Sequence, residues 1–179
     1  MGDMPSYVAF LRAINLGAKR KFPKDDIARV VASTGARDVA THINTGNVRL
    51  TSGARSREKV EAALESAFAA DRGFEVPTIV FATDELRAIV DDIEELHDPA
   101  LMRHYVLLLK DEPSSEVVAT VHALESGPHR AVIRGRAAHL LLGEGYEAGG
   151  VDPLKAEKLL GVATNRNHTV LRAIADKWL

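Results

Sequence analysis

The sequence predicts an α+β protein of two small lobes, residues 1–83 and 84–179, the first of them ferredoxin-like. Three observations carry that reading. Apolar residues alternate in short runs and recur every three or four residues in longer ones, so strands and helices interleave. In the first half the order of these runs is β-α-β-β-α-β. The second half, after a lead helix, reads β-α-β-β-α and closes on a helix.

Each element has a local cause. Residues 7–13 form an apolar, strand-like run. Pro23 suits the first turn of a helix whose Ile27, Val30 and Val31 share a face, and Gly35 stands where a C-cap belongs. Val39, Thr41 and Ile43 alternate with Ala40, His42 and Asn44, as in a two-faced strand. Thr45-Gly46 supplies a two-residue hairpin loop, and residues 48–51 return. Ser56 caps a helix carrying Val60, Leu64 and Phe68, Gly73 ends it, and residues 76–82 give the last strand. In the second half Leu86, Ile89, Val90 and Ile93 line the lead helix, with Thr83 or Asp84 as its cap. Residues 105–109 are a buried-type strand, and Val117, Val121 and Leu124 follow the helix start at Ser114-Ser115. Two runs, 131–134 and 138–142, flank a second hairpin at Gly135-Arg136. Asp152-Pro153 opens a helix, and Leu171, Ile174 and Trp178 share one side of the last one.

Composition narrows the function classes. Lys and Arg number 23 against 25 Asp and Glu, a formal charge of −2 that excludes a generically basic nucleic-acid coat or a polybasic membrane binder. The absence of cysteine removes disulfides, thiolate metal sites and cysteine nucleophiles. The longest strongly apolar run is far too short for a membrane span, and no export signal is visible, so a cytoplasmic protein with no membrane partner is expected. Charge is uneven: residues 1–83 carry a net +3 and residues 84–179 a net −5. The positive excess gathers in Arg12, Lys19, Arg20, Lys21 and Lys24.

Three polar segments are candidates for a site. The connection after the first strand holds Asn15, Gly17, Lys19, Arg20 and Lys21 and leads into a helix, where free N–H groups and the helix dipole favour an anion. A merely solvating basic loop is the alternative. The second segment is Asn44-Thr45-Gly46-Asn47, richer in carboxamides and hydroxyl than a tight turn requires, with His42 nearby on the strand. The third is Thr164-Asn165-Arg166-Asn167, either a cap for the last helix or an arginine fork for phosphate or carboxylate. Other patterns fail. Gly143-Glu144-Gly145 stands several residues ahead of the helix a dinucleotide would need. The histidines show no metal-ligand spacing, no serine sits in a nucleophile elbow, and no run of strand aromatics matches an RNA-recognition motif. Neither metal nor cofactor is expected.

On these same segments the chain resembles a bacterial family known as domain of unknown function 1697. Leu11-Arg12-Ala13-Ile14-Asn15-Leu16-Gly17 is similar to its L-R-G-I-N-x-G, with Ala13 in place of Gly. Thr45-Gly46-Asn47-Val48 is similar to its S-G-N-V. Thr164-Asn165-Arg166-Asn167 followed by Thr169 is similar to its T-x-R-N-W-x-T, one residue shorter and without the Trp. The resemblance spans nearly the whole chain and implies a two-lobed α+β protein with a ferredoxin-like first lobe. It implies no activity, substrate or cofactor.

The resulting expectation is a binding protein. Arg12, Asn15, Gly17, Lys19, Lys21, Asn44, Thr45, Gly46, Asn47, Thr164, Arg166 and Asn167 would meet in a polar cleft between the lobes and hold a phosphate-bearing small molecule or a nucleic-acid segment. Two rivals use the same residues differently. One is a metal-independent enzyme with His42 as acid/base and Arg12 or Arg166 steadying negative charge. The other is a protein-interaction module presenting Asp91, Asp92, Glu94 and Glu95. Topology adds a geometric expectation: in a ferredoxin-like lobe the second strand runs parallel to the first, so its closing turn falls on the same rim as Asn15. Asn15, Asn47 and Arg166 are accordingly expected within roughly 12 Å of one another, a span one ligand could bridge.

Overall fold

A computed structural model describes residues 2–148 and 150–179. The chain divides into two units, Met1–Leu86 with Trp178–Leu179, and Arg87–Lys177.

The first unit opens on β1 (Ser6–Leu11). Its Tyr7, Ala9 and Leu11 turn to one face and join a core with residues of α1 (Lys24–Ser33) and α2 (Arg57–Arg72), among them Ile27, Val31, Leu64 and Phe68. Phe22 closes this core edge-on to Phe68, with ring centroids 5.2 Å apart. Burying each such ring contributes on the order of 2–3 kcal/mol. Ser56 caps α2 by accepting the Lys59 N–H, and Gly73 ends it in the left-handed region. β2 (Arg37–His42), β3 (Asn47–Thr51) and β4 (Thr78–Ala82) complete a sheet of order β2-β3-β1-β4, with antiparallel neighbours throughout. That is the ferredoxin-like arrangement the periodicity predicts.

The second unit repeats it. α3 (Thr83–Leu96) runs across the division between units, and β5 (Arg103–Leu109), α4 (Ser115–Ala123), β6 (Arg130–Arg134) and β7 (Ala137–Leu142) follow. The two-residue hairpin at Gly135-Arg136 is present, with Gly135 at φ +56°. α5 (Ala156–Leu159), β8 (Ala163–Asn167) and α6 (His168–Trp178) end the chain. The sheet order is β6-β7-β5-β8, again antiparallel, and Leu107, Leu109, Val121, Leu140 and Leu154 form its core.

Four local expectations are corrected. β8 is a strand where the sequence shows only a polar linker before the last helix. Its pattern has no apolar alternation, and its conformation comes from pairing with β5 (Leu109↔Ala163, Leu107↔Asn165). The second half is therefore β-α-β-β-α-β plus a closing helix. The hairpin at 43–46 has four residues, not two, because Ile43 takes φ +51° and ends β2 at His42. The first strand stops at Leu11, since Ala13 is left-handed at φ +57°. Asp152 opens a turn, accepting the Leu154 and Glu157 N–H groups, and the helix behind it begins only at Ala156.

Candidate functional site

The loop joining β1 to α1, residues 12–23, is organised by one side chain. Asn15 Nδ2 donates to Phe22 O (3.1 Å) and to Asn44 O (2.7 Å), and its Oδ1 accepts the Phe22 N–H (2.8 Å). Its own N–H reaches Arg20 O at 2.7 Å. Asn15 sits at φ +55°, a region in which asparagine is favoured over most residues. Ala13 and Gly17 are left-handed as well, at +57° and +72°, so the backbone folds back at alternate positions. The Asn15–Asn44 bond places the loop and the hairpin turn on one rim of the sheet, as topology requires.

The three consecutive cations separate. Arg20 turns inward, donating from Nε to Ala13 O (2.5 Å) and from Nη2 to Glu75 O (2.6 Å), with its guanidinium 4.5 Å above the Phe74 ring. Lys19, Lys21 and Arg12 stay exposed. An open groove of about 300 Å³ lies here, lined by Asn15, Gly17, Lys21, Pro23 and Asn44. Pro23 is the lining residue that sequence reasoning used only as a helix start. The N-terminus of α1 is a weaker anion seat than the sequence suggests. Asp25 and Asp26 fill its first turn, which satisfies the positive end of the helix dipole internally.

The hairpin turn is held from within. Asn47, 1% exposed, donates from Nδ2 to His42 O and to Thr45 Oγ1, both at 2.9 Å. Gly46 O accepts the Leu11 N–H at 2.8 Å. Gly46 has φ +81°, and a Cβ there would stand 2.8 Å from Leu11 Cβ, so both conformation and contact demand glycine. The His42 ring stands edge-on to Trp178, with centroids 6.2 Å apart.

The third segment lies in the second unit, on β8. Arg166 is buried and donates from Nη1 to Thr164 Oγ1 (2.8 Å) and Asn165 O (2.9 Å), and burial draws its guanidinium down to about 10. Asn167 Oδ1 accepts both the N–H and the hydroxyl of Thr169 at 2.9 Å, which is cap chemistry for α6. Three acids of the α3 cluster are paired: Arg134 binds Asp92 and Glu95, and Arg172 binds Glu94 in a two-pronged contact. Hydrogen bonds from these arginines hold the Glu94 and Glu95 carboxyls below the usual carboxylate range. Among the described residues no group of three or more His, Cys, Asp or Glu is placed to hold a metal ion, and no helix is long and apolar enough to cross a membrane.

The two units provide an internal comparison. In the first, the connection from the first strand to the first helix takes twelve residues, 12–23; in the second it takes five, 110–114. The hairpin loops are four residues, 43–46, against two, 135–136. The same topology closes in the second unit without the extra length, so the fold does not require it in the first.

These features define an α+β protein with a ferredoxin-like topology used twice and, in the first unit, a lengthened loop and hairpin turn on one rim. The chain belongs to the family described as Protein of unknown function (DUF1697), whose model matches residues 4–139. That match takes in the loop and the hairpin turn; residues 164–167 lie beyond it, so it is shorter than the motif resemblance. Comparison with curated proteins gave no match. Among solved structures, the chain is similar to the conserved bacterial protein SP0830 from Streptococcus pneumoniae, with a TM-score of 0.74 and 23% identity over 97% of this chain and 98% of that one. This likeness shows the fold.

The family motif carries Gly where this chain has Ala13, and the left-handed φ of Ala13 supplies the reason. Ala13→Gly is expected to stabilise the first unit by about 0.5–1 kcal/mol, strain relief outweighing the added freedom of the unfolded chain. Urea unfolding would measure it; a destabilised variant would show that position 13 is unstrained.

Proposed function

We propose that the chain binds a phosphate-bearing anion at the rim of the first unit, in the groove lined by Asn15, Gly17, Lys21, Pro23 and Asn44. The observation that carries this is the elaborated loop 12–23, seven residues longer than its counterpart 110–114, which exposes Lys19 and Lys21 and lines an open groove with Lys21. Asn15 and Arg20 shape that loop from inside, so the exposed lysines are the groups available to a ligand. Left-handed residues in a turn also tend to expose backbone N–H groups to anions. A groove of about 300 Å³ is at the small end of ligand sites and suits a phosphate group with a small substituent.

The test is thermal shift and equilibrium titration of the full chain with inorganic pyrophosphate, ADP and a short RNA oligonucleotide at low salt. At least one probe should raise the melting temperature, with an affinity that falls as salt rises. Replacing Lys19 and Lys21 together by alanine should weaken that binding about tenfold, each exposed lysine contributing up to about 1 kcal/mol, and should leave the stability of the free protein unchanged. No response to any probe at millimolar concentration would overturn the proposal.

A further inference from the structure

Four histidines that the groove does not use come together in the second unit from four separate places in the chain. His97 follows α3, His104 is on β5, His139 is on β7 and His168 opens α6. The ring centroids of His97 and His168 are 4.4 Å apart, and His104 lies 5.7 and 5.6 Å from them, with the three planes within 25° of parallel. His104 Nε2 meets His139 Nδ1 at 3.0 Å, and these two residues are 1% and 0% exposed. One further ring nitrogen of each histidine is buried without a hydrogen-bond partner: Nδ1 of His97, His104 and His168, and Nε2 of His139.

We propose that this cluster forms an acid-sensitive latch, in which His104 and His139, packed with His97 and His168, hold the start of α6 and the end of α3 to the second unit's sheet while uncharged and release them when protons enter. The geometry excludes charging both rings of the His104–His139 pair, and burial opposes charging either one. A nitrogen-to-nitrogen hydrogen bond accommodates one proton, donated by one ring and accepted by the other. Protonating both rings would put two hydrogens into 3.0 Å and two charges into a buried site. The surroundings offer little relief. From α3, Glu94 and Asp92 face the cluster, but they are engaged by Arg172 of α6 and Arg134 of β6. Arg166 of β8 flanks Val106 on the side opposite His139, on the same sheet face. Asp176 is the remaining acid near Arg172 on α6.

Burial, helped by the neighbouring histidines, lowers His104 to about 3. Burial likewise lowers His139 to about 4 and lowers His168 below the ordinary imidazole value. A histidine depressed in the folded state contributes stability that is complete above its unfolded value near 6.5. That stability is lost as pH falls toward the folded value. The window thus runs from about pH 6.5 down to about 4 for His139 and to about 3 for His104.

The experiment is urea unfolding of the full chain from pH 7.5 to 4.5, for wild type and for His104→Gln, His139→Gln and, as an exposed control, His122→Gln. Below pH 6 the wild-type unfolding constant should rise about tenfold per pH unit for each excluded proton, roughly a hundredfold per unit for the pair. His104→Gln and His139→Gln should each remove about one power of ten from that slope, and His122→Gln should remove none. Equal slopes in all four proteins would overturn the latch. Imidazole NMR titration of the wild type needs no variant to fold. His104 and His139 must keep neutral-ring shifts down to pH 5, and either one titrating near 6.5 would refute the proposal. Amide exchange, corrected for its intrinsic pH dependence, should quicken at the start of α6 between pH 7 and 5 while β1 and β3 stay protected. Unchanged protection of α6 would equally refute it.

Discussion

Replacing Gly46 by alanine is expected to destabilise the first unit by about 2–4 kcal/mol. Two costs add. A residue with a Cβ at φ +81° is strained by about 1–2 kcal/mol. The new Cβ would also stand 2.8 Å from Leu11 Cβ and 3.0 Å from Ile14 Cδ1. Leu11 Cβ is fixed to the end of β1 and cannot turn aside as a side-chain tip could. The turn must shift, and the Leu11 N–H to Gly46 O bond goes with it, at about 1–2 kcal/mol more. Gly35 provides the control, with φ +89° but no atom within 4 Å of where a Cβ would stand, so Gly35→Ala should cost only the strain. Urea unfolding of both variants separates the two terms. Equal losses would show that the turn and strand are not in the close contact described.

Asn15→Ala should cost about 2–3 kcal/mol and, by releasing the loop that forms the groove, should abolish the anion binding proposed there. The side chain supplies two donations and one acceptance across the loop and to the turn, each contributing about 1 kcal/mol or less in this part-buried setting. Alanine at φ +55° adds strain. Asn15→Gly isolates the hydrogen bonds, because glycine accepts that conformation, and should be about 1 kcal/mol milder than alanine. Asn15→Asp should be no better than alanine, since carboxylate oxygens would then face the Phe22 and Asn44 carbonyls. Denaturant unfolding gives the stabilities, and amide exchange of residues 15–22 reports the loop. A fully stable Asn15→Ala would remove Asn15 from its place as the organiser of the rim.

Both variants act on residues that the sequence marked as ligand-binding candidates, and this shows where reading a sequence stops. Its polarity and spacing singled out Asn15, Gly46 and Asn47 as candidates for a ligand, and the structure gives each of them a place in holding the loop and turn together. It could not distinguish a carboxamide that touches a ligand from one that ties the chain to itself, because both need the same atoms in the same loop. Asn47 bonding His42 O and Thr45 Oγ1, and Arg20 turning inward while its neighbours Lys19 and Lys21 stay exposed, are facts about partners distant from the motif or hidden inside it.

What the sequence determined by itself is what depends on neighbours along the chain. The alternation of Tyr7, Ala9 and Leu11, the four-residue repeat of Val60, Leu64 and Phe68, the Ser56 cap and the Gly73 stop each report a local geometry, and together they specify the β-α-β-β-α-β order of the first unit. Given that order, topology alone put Asn15 and the hairpin turn on one rim. The tertiary structure decided the rest. β8 is a strand because β5 offers it a hydrogen-bonding edge, which no propensity within Ala163–Asn167 reveals. The four histidines meet because α3, β5, β7 and α6 fold together, although positions 97, 104, 139 and 168 have no common spacing. Periodicity is a short-range property of the chain, whereas the partner of a buried polar group is chosen by the fold as a whole.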